Sequence, residues 1–330
     1  MTSIHELTTP ALIVDADALQ HNLRTMAVAL PGTRMRPHVK AHKCTALGRL
    51  QAAQGHETFC CATVREVVGM AEAGLGYDLL LANETLDGRR LAPLEARVTV
   101  AVDSDATIDA AAAVGGALHE VLIDVNVGLP RCGCDPNDAG RLADLARSRG
   151  LIVRGVMGYE GHAVGMDDRD VRRQLCEAAM EQLLVAHRAV GGDIISAGGT
   201  GTYDINVWAN EIQAGSYALM DTAYGKLGLP FVQALWVWST VISVSPAYAV
   251  ADCGLKSLGM DHGNPTVEHG SVWFCSDEHT TFGSEAPLRV GNRVRVIPAH
   301  IDPTIAYHER MHLVSGDRVV ETWPIDLRGW

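Results

Sequence analysis

Over roughly the first two-thirds of the chain, short runs of apolar and often β-branched residues alternate with longer stretches of helical periodicity. The runs predict strands at Met35–Lys40, Thr58–Ala62, Asp78–Ala82, Val98–Val102, Val121–Asn126, Ile152–Met157, Asp193–Ser196 and Glu211–Ala214. Between them the spacing predicts helices such as Thr45–Ala53, Val64–Ala73, Ala106–Val114, Pro136–Ser148 and Asp170–Ala189. Asp135-Pro136 reads as a cap followed by the first helical residue, and Thr63 with Glu66 reads as a capping box. Gly74, Gly115, Gly150 and Gly191 stand where these helices should stop. Strands separated by single helices imply an α/β protein whose parallel sheet closes as a (β/α)8 TIM-type barrel. An open doubly wound sheet is the competitor, but the GxGxxG that usually follows its first strand is absent.

Beyond about residue 230 the rhythm changes. Trp236–Ser245, Tyr248–Asp252, Ser271–Cys275 and Arg293–Ile297 read as strands. Met311–Val314, a turn at Ser315-Gly-Asp317 and Arg318–Trp323 read as a hairpin. The expected organisation is a barrel over residues 1–230 and a mostly β domain over 231–330, with the extreme N-terminus packing on the β domain.

Composition narrows the function classes. The 330 residues carry a net charge of −12 without a Lys/Arg block, which argues against a nucleic-acid surface. No apolar run approaches the ~20 residues of a membrane span. The opening MTSIHELTTP lacks the basic start and apolar stretch of a signal peptide, so the expected compartment is the cytoplasm. The eight cysteines then read as reduced thiols; neither Cys60-Cys61 nor Cys132-Gly133-Cys134 has CxxC spacing.

Several residue groups carry chemistry. Lys40 falls at the carboxyl end of the first expected strand, where barrel enzymes build their sites. Desolvated there beside Arg36, His42 and Lys43, its amine would be primed to form a Schiff base; the same residues also fit an ordinary basic loop on the rim. Ile194–Tyr203 and Ala214–Tyr217 follow the seventh and eighth strands, the usual phosphate seat of a barrel, although flexible turns fit them too. His300 and Asp302, two apart on extended chain, would share one face about 6.6 Å apart and could clasp Mn, Mg or Zn. His308-Glu-Arg-Met-His312 is formally the zinc-protease pattern, but on a strand its histidines would stand ~13 Å apart, although Asp302-Pro303 could start a short helix. Arg131 and Tyr159 fall at the ends of strands five and six, where they could hold a planar ring, and His162 is placed for proton work.

Together these segments resemble a known family. Thr9–Asp15, Arg36-Pro-His-Val-Lys-Ala-His-Lys43, Phe59–Thr63, Ser196–Tyr203, Gln213–Tyr217, Asp252–Lys256 and Pro298–Thr304 are similar, in order, to the D-threonine aldolase and D-serine dehydratase group of fold-type III pyridoxal-phosphate enzymes. The similarity is closer to D-threonine aldolase. It implies an alanine racemase-like barrel with a β domain, and a homodimer. It further implies Lys40 as the residue carrying pyridoxal 5'-phosphate, Arg131 and Tyr159 around its ring, and Gly199, Thr200, Gly201, Gly215 and Ser216 on its phosphate. His300 and Asp302 match the metal ligands. Dehydratases of the group typically have cysteine where this chain has Asp302; a carboxylate makes a harder site that suits Mn or Mg better than Zn. The expected reaction is metal-dependent retro-aldol cleavage of D-threonine-type β-hydroxy-α-amino acids, with Lys40 and His162 in the chemistry. A D-serine or D-3-hydroxyaspartate dehydratase is the neighbouring alternative. A racemase, a non-catalytic pyridoxal-phosphate protein and a zinc protease are the more distant ones.

Overall fold

The structure is a computed structural model and describes residues 2–330. In chain order, β1 (Ala11–Asp15) leads into α1 (Ala16–Ala29), followed by α2 (Thr45–Ala53), β2 (Thr58–Cys61), α3 (Val64–Glu72) and β3 (Asp78–Leu81). Next come β4 (Val98–Val102), α4 (Asp105–Val114), β5 (Leu118–Asp124), α5 (Ala139–Ser148), β6 (Ile152–Met157), α6 (Arg169–Val190), β7 (Ile194–Ala197) and β8 (Glu211–Ile212). The chain forms two compact units: one holds the N-terminal residues to Thr25, Ala41–Cys44 and Ser216–Asp326; the other holds Met26–Lys40, Thr45–Gly215 and Leu327–Trp330.

The second unit is the barrel. Strands β2 to β8 pair in parallel and in sequence order. The residues of β2, β3 and β4 are all buried, as expected of a parallel sheet covered on both faces. Segment 35–40 is not the regular strand its apolar pattern suggests. Only Met35 bridges to Ile212 and His38 to Cys60, and Val39–Ala41 already turn as a 3-10 helix. Pro37 explains part of this, because it has no N–H to give to a ladder. The segment still closes the ring. Arg36 N–H donates to Ile212 O at 2.9 Å, and Cys60 N–H donates to Pro37 O at 2.9 Å.

Inside the barrel, Cys60, Leu80, Ala101, Leu122 and Met157 form one apolar layer. Two residues earlier on four of these strands, alternation turns Thr58, Asp78, Thr99 and Glu120 the same way, and all four are buried. This lower layer is a charged plug. Arg36 Nη1 meets Asp78 Oδ1 at 3.0 Å and its Nε meets Glu211 Oε2 at 2.8 Å. Arg154 Nη2 meets Asp78 Oδ2 at 2.8 Å, and Arg97 Nε meets Glu120 Oε2 at 2.9 Å.

Two helix starts differ in detail from expectation. Asp135 and Pro136 make a separate turn, closed by Asp138 N–H on Asp135 O at 2.9 Å, so α5 begins only at Ala139. Thr63 Oγ1 accepts from Glu66 N–H at 3.2 Å as expected, but the Glu66 carboxylate reaches back to Ala62 N–H at 2.6 Å.

The first unit is mostly β. After α7 (Thr222–Gly225) come β9 (Leu235–Val244), β10 (Ala249–Ala251), β11 (Thr266–Val267), β12 (Gly270–Cys275), β13 (Thr280–Ser284) and β14 (Arg293–Ile297). The short α8 (Ile301–Tyr307) precedes the hairpin of β15 (Arg310–Ser315) and β16 (Arg318–Pro324). Its sheet runs β12-β13-β10-β9-β1-β15-β16, with β14 also on β9. The N-terminal strand β1 is central, antiparallel to β9 and parallel to β15. The C-terminal stretch of this unit begins at Ser216, ahead of residue 230 where the rhythm changes. Residues 216–230 belong with it because Ala234 N–H donates to Leu219 O and Thr222 N–H to Pro298 O.

Candidate active site

In the barrel unit, Lys40 lies half-buried in the 3-10 turn that ends the closing segment. Arg36, expected as a cation beside it, is engaged elsewhere. Burial pulls the Arg36 pKa down, but the Glu211 and Asp78 carboxylates outweigh that and hold it above the usual arginine value.

The loops after β5, β6 and β7 carry six expected residues, Arg131, Tyr159, His162, Gly199, Thr200 and Gly201. The Arg131 guanidinium carbon stands 5.4 Å from the Tyr159 ring centroid, a cation–π distance. Neighbouring Gly161 and Gly199 leave room for that ring: a Cβ at 161 would come within 2.6 Å of it, and one at 199 within 3.5 Å. His162 packs over Gly128, where a Cβ would stand 2.8 Å from its Cε1. Its buried Nδ1 has no hydrogen-bond partner among the described residues. Thr200 is buried in the loop after β7, and a Cβ at Gly201 would collide with the Val164 carbonyl oxygen.

Glu160, between Tyr159 and the loop, was not singled out by the sequence and turns out to organise it. Its buried carboxylate accepts from Gly198 N–H at 3.0 Å, Thr202 Oγ1 at 2.9 Å and Asn206 Nδ2 at 3.0 Å. Only its burial among donors from a glycine-rich loop reveals the role, and spacing does not encode that. A second unforeseen pair is Asp124, at the end of β5, with Glu84. Burial, and then the adjacent Glu84 carboxyl, raise the Asp124 pKa well above the carboxylate range. Four of the thiols are poor nucleophiles. Glu84 and burial push Cys132 up to about 11, burial pushes Cys134 up to about 12, and burial raises Cys60 and Cys176 as well.

Gly215 ends a run of the barrel unit. Ser216 opens the other unit's C-terminal run in a buried 3-10 turn, Ser216–Ala218. That unit also holds His300 and Asp302. They are not on extended chain: His300 caps α8 and Asp302 lies in its first turn. The helix start nevertheless brings His300 Nε2 within 3.8 Å of Asp302 Oδ1, closer than the extended geometry implies. Asp261 Oδ2 lies 2.7 Å from His300 Nδ1, and the His262 ring stacks on His300 with centroids 4.0 Å apart. Asp261 stands 39 residues before His300, a separation no ligand-spacing pattern connects. Burial raises Asp221 to about 6, while it accepts from Tyr224 N–H and from Ile301 N–H beside His300.

The protease pattern is dispersed. His308 follows the end of α8 and bonds Ser257 O, whereas His312 lies in β15 and bonds Thr322 Oγ1. Burial lowers both pKa values.

The residues fit the groups the fold implies. For a pyridoxal phosphate there is a lysine at the mouth of the closing segment, an arginine–tyrosine face, a glycine-walled loop and the unpartnered His162 Nδ1. For a divalent ion, one imidazole nitrogen and one carboxylate oxygen face each other across a gap that leaves room for two bonds of about 2.1 Å.

Residues 14–222 match the alanine racemase N-terminal domain family, and residues 234–314 match a serine dehydratase domain. The chain is 32% identical to 3-hydroxy-D-aspartate aldolase of Paracoccus denitrificans (strain Pd 1222), over 98% of this chain and 93% of that protein. It is likewise 32% identical to D-threonine aldolase of Arthrobacter sp, with the same coverage. The crystal structure of D-threonine aldolase from Filomicrobium marinum superposes with a TM-score of 0.91 at 33% identity, covering 98% of this chain and 97% of that one. The chain belongs to the alanine racemase-fold family that includes these D-threonine and 3-hydroxy-D-aspartate aldolases.

Proposed function

We propose that this protein cleaves D-threonine-type β-hydroxy-α-amino acids between Cα and Cβ, releasing glycine and an aldehyde, with pyridoxal 5'-phosphate and a divalent metal. The observation that carries the reading is the His300 Nε2–Asp302 Oδ1 pair at 3.8 Å, a nitrogen and oxygen donor set placed on one short helix start. A carboxylate in the second position favours Mn or Mg over Zn.

When bound, pyridoxal phosphate supplies the electron sink that lets the bond break. A divalent ion supplies the Lewis acidity that eases a hydroxyl proton off at neutral pH. The chain's own residues do the rest. Lys40 holds the cofactor through its amine. Gly199, Thr200, Gly201, Gly215 and Ser216 seat the phosphate, the loop among them kept in shape by Glu160. Arg131 and Tyr159 flank the ring plane. His300 and Asp302 would hold the divalent ion, which would polarise the β-hydroxyl. His162, with its unpartnered Nδ1, takes that proton.

Dehydration of the same substrates is the second reading, favoured by the serine dehydratase match over residues 234–314. There Lys40 would remove the α-proton and the hydroxyl would leave. The resemblance also supports a homodimer. Eight free cysteines support a reducing, cytoplasmic compartment. Incubation of the protein with pyridoxal phosphate, Mn and D-threonine, followed by identification of the carbonyl product, tests the reading. Acetaldehyde with glycine is expected. 2-Oxobutanoate with ammonia would make the protein a dehydratase.

A further inference from the structure

We propose that Asp261 is a positioning residue for the metal centre: its carboxylate accepts the Nδ1–H of His300 and so presents the Nε2 lone pair toward Asp302. The inference rests on the reading that His300 and Asp302 hold the ion. Three groups, Asp261, His262 and His300, offer ligand atoms that all lie within 4.8 Å of one another, so they must first be weighed as a ligand cluster in their own right. Distances decide the matter. Two donors at about 2.1 Å from one ion and at right angles to it stand about 3.0 Å apart. Asp261 Oδ2 and His300 Nδ1 are only 2.7 Å apart, too close for shared coordination and ideal for a short hydrogen bond to a carboxylate.

A neutral imidazole has one N–H. Committing it to Asp261 leaves Nε2 as the acceptor, and Nε2 is the atom that faces Asp302 at 3.8 Å. Asp261, His300 and Asp302 are therefore in series: carboxylate, imidazole, metal gap, carboxylate. Such an outer carboxylate fixes the ring's tautomer and orientation and raises its basicity as a ligand. His262 makes a different contact. Its plane lies within 4° of that of His300, face on face, so it restrains the ring's tilt, and its Nε2 stands 3.8 Å from Asp261 Oδ2.

Mn(II) titration of metal-stripped, pyridoxal phosphate-loaded protein, read as free Mn by electron paramagnetic resonance, tests this without recourse to turnover. Asp261→Ala is expected to weaken binding about 10–100-fold. Asp261→Asn keeps an acceptor oxygen and should recover part of the loss, whereas His262→Ala should change affinity less than threefold. Thermal melting without metal checks that each variant is folded; Asp261 and His262 are exposed, so their removal should leave the melting temperature in place. Wild-type affinity in Asp261→Ala would overturn the proposal. So would an equal loss in His262→Ala, which would make the trio the ligands themselves. Absence of Mn binding to wild type, or full binding by His300→Ala, would overturn the metal reading as well, and so is distinguishable from failure of the Asp261 role alone.

Discussion

Arg36 Nε lies 2.8 Å from Glu211 Oε2, and this ion pair joins the closing segment of the barrel to its last strand. The segment has only two isolated bridges to its neighbours, so side-chain bonding takes over from the ladder that Pro37 interrupts. Both partners are buried, and the same guanidinium also holds Asp78. Removal of one member of a buried pair leaves the others uncompensated, at a cost of about 3–5 kcal/mol. Arg36→Gln should lose that much stability in urea unfolding. A loss below about 1 kcal/mol would show that the plug does not close the ring.

Acid should unfold the barrel through Asp78. Burial alone would push its carboxyl up, but hydrogen bonding to Arg154 and the charges of Arg36 and Arg154 outweigh this and hold it below the ordinary carboxylate range. The folded pKa is therefore below the unfolded one. The stabilisation is fully present above about pH 4 and is lost as pH falls through the folded value. Arg154→Gln should move the acid-unfolding midpoint to higher pH; an unchanged midpoint would dissociate Asp78 from acid sensitivity.

Gly201 admits no side chain, because a Cβ there would meet the Val164 carbonyl oxygen. Gly201→Ala must displace the loop that Glu160 holds. Pyridoxal phosphate affinity, followed by the cofactor's visible absorbance, should fall by more than about tenfold (about 1.4 kcal/mol) while far-UV circular dichroism is kept. Unchanged affinity would remove this loop from the phosphate seat.

Lys40→Ala should abolish borohydride-dependent attachment of the cofactor to the chain. Turnover should fall by more than about a thousandfold, as when a covalent nucleophile is removed. Attachment that survives would assign the role to another lysine.

The apolar runs of β2, β3 and β4 were legible because strands covered on both faces leave nothing but burial to read. Segment 35–40 reads as a strand on the same grounds, yet one proline and an early turn reduce it to bridges. Asp302-Pro303 was legible as a possible helix start, but the pair His300 and Asp302 reads as extended chain, because nothing in the spacing says that His300 caps that helix. Asp261 and Glu160 were out of reach for a different reason. Each acts on groups 38 or more residues away along the chain, through contacts that only the fold creates.

If His300 and Asp302 hold the metal, as proposed, the donor set should select it. Chelation should remove activity, and Mn or Mg should restore it better than Zn. Asp302→Cys should reverse that order, since thiolate prefers the softer ion; an unreversed order would show that residue 302 does not bind the metal.

The most direct test of the central claim uses a substrate on which both reactions are chemically open. Given D-3-hydroxyaspartate, the protein should release glyoxylate and glycine in equal amounts, with the Cα–Cβ bond cut. Oxaloacetate and ammonia in equal amounts, with that bond intact, would contradict it.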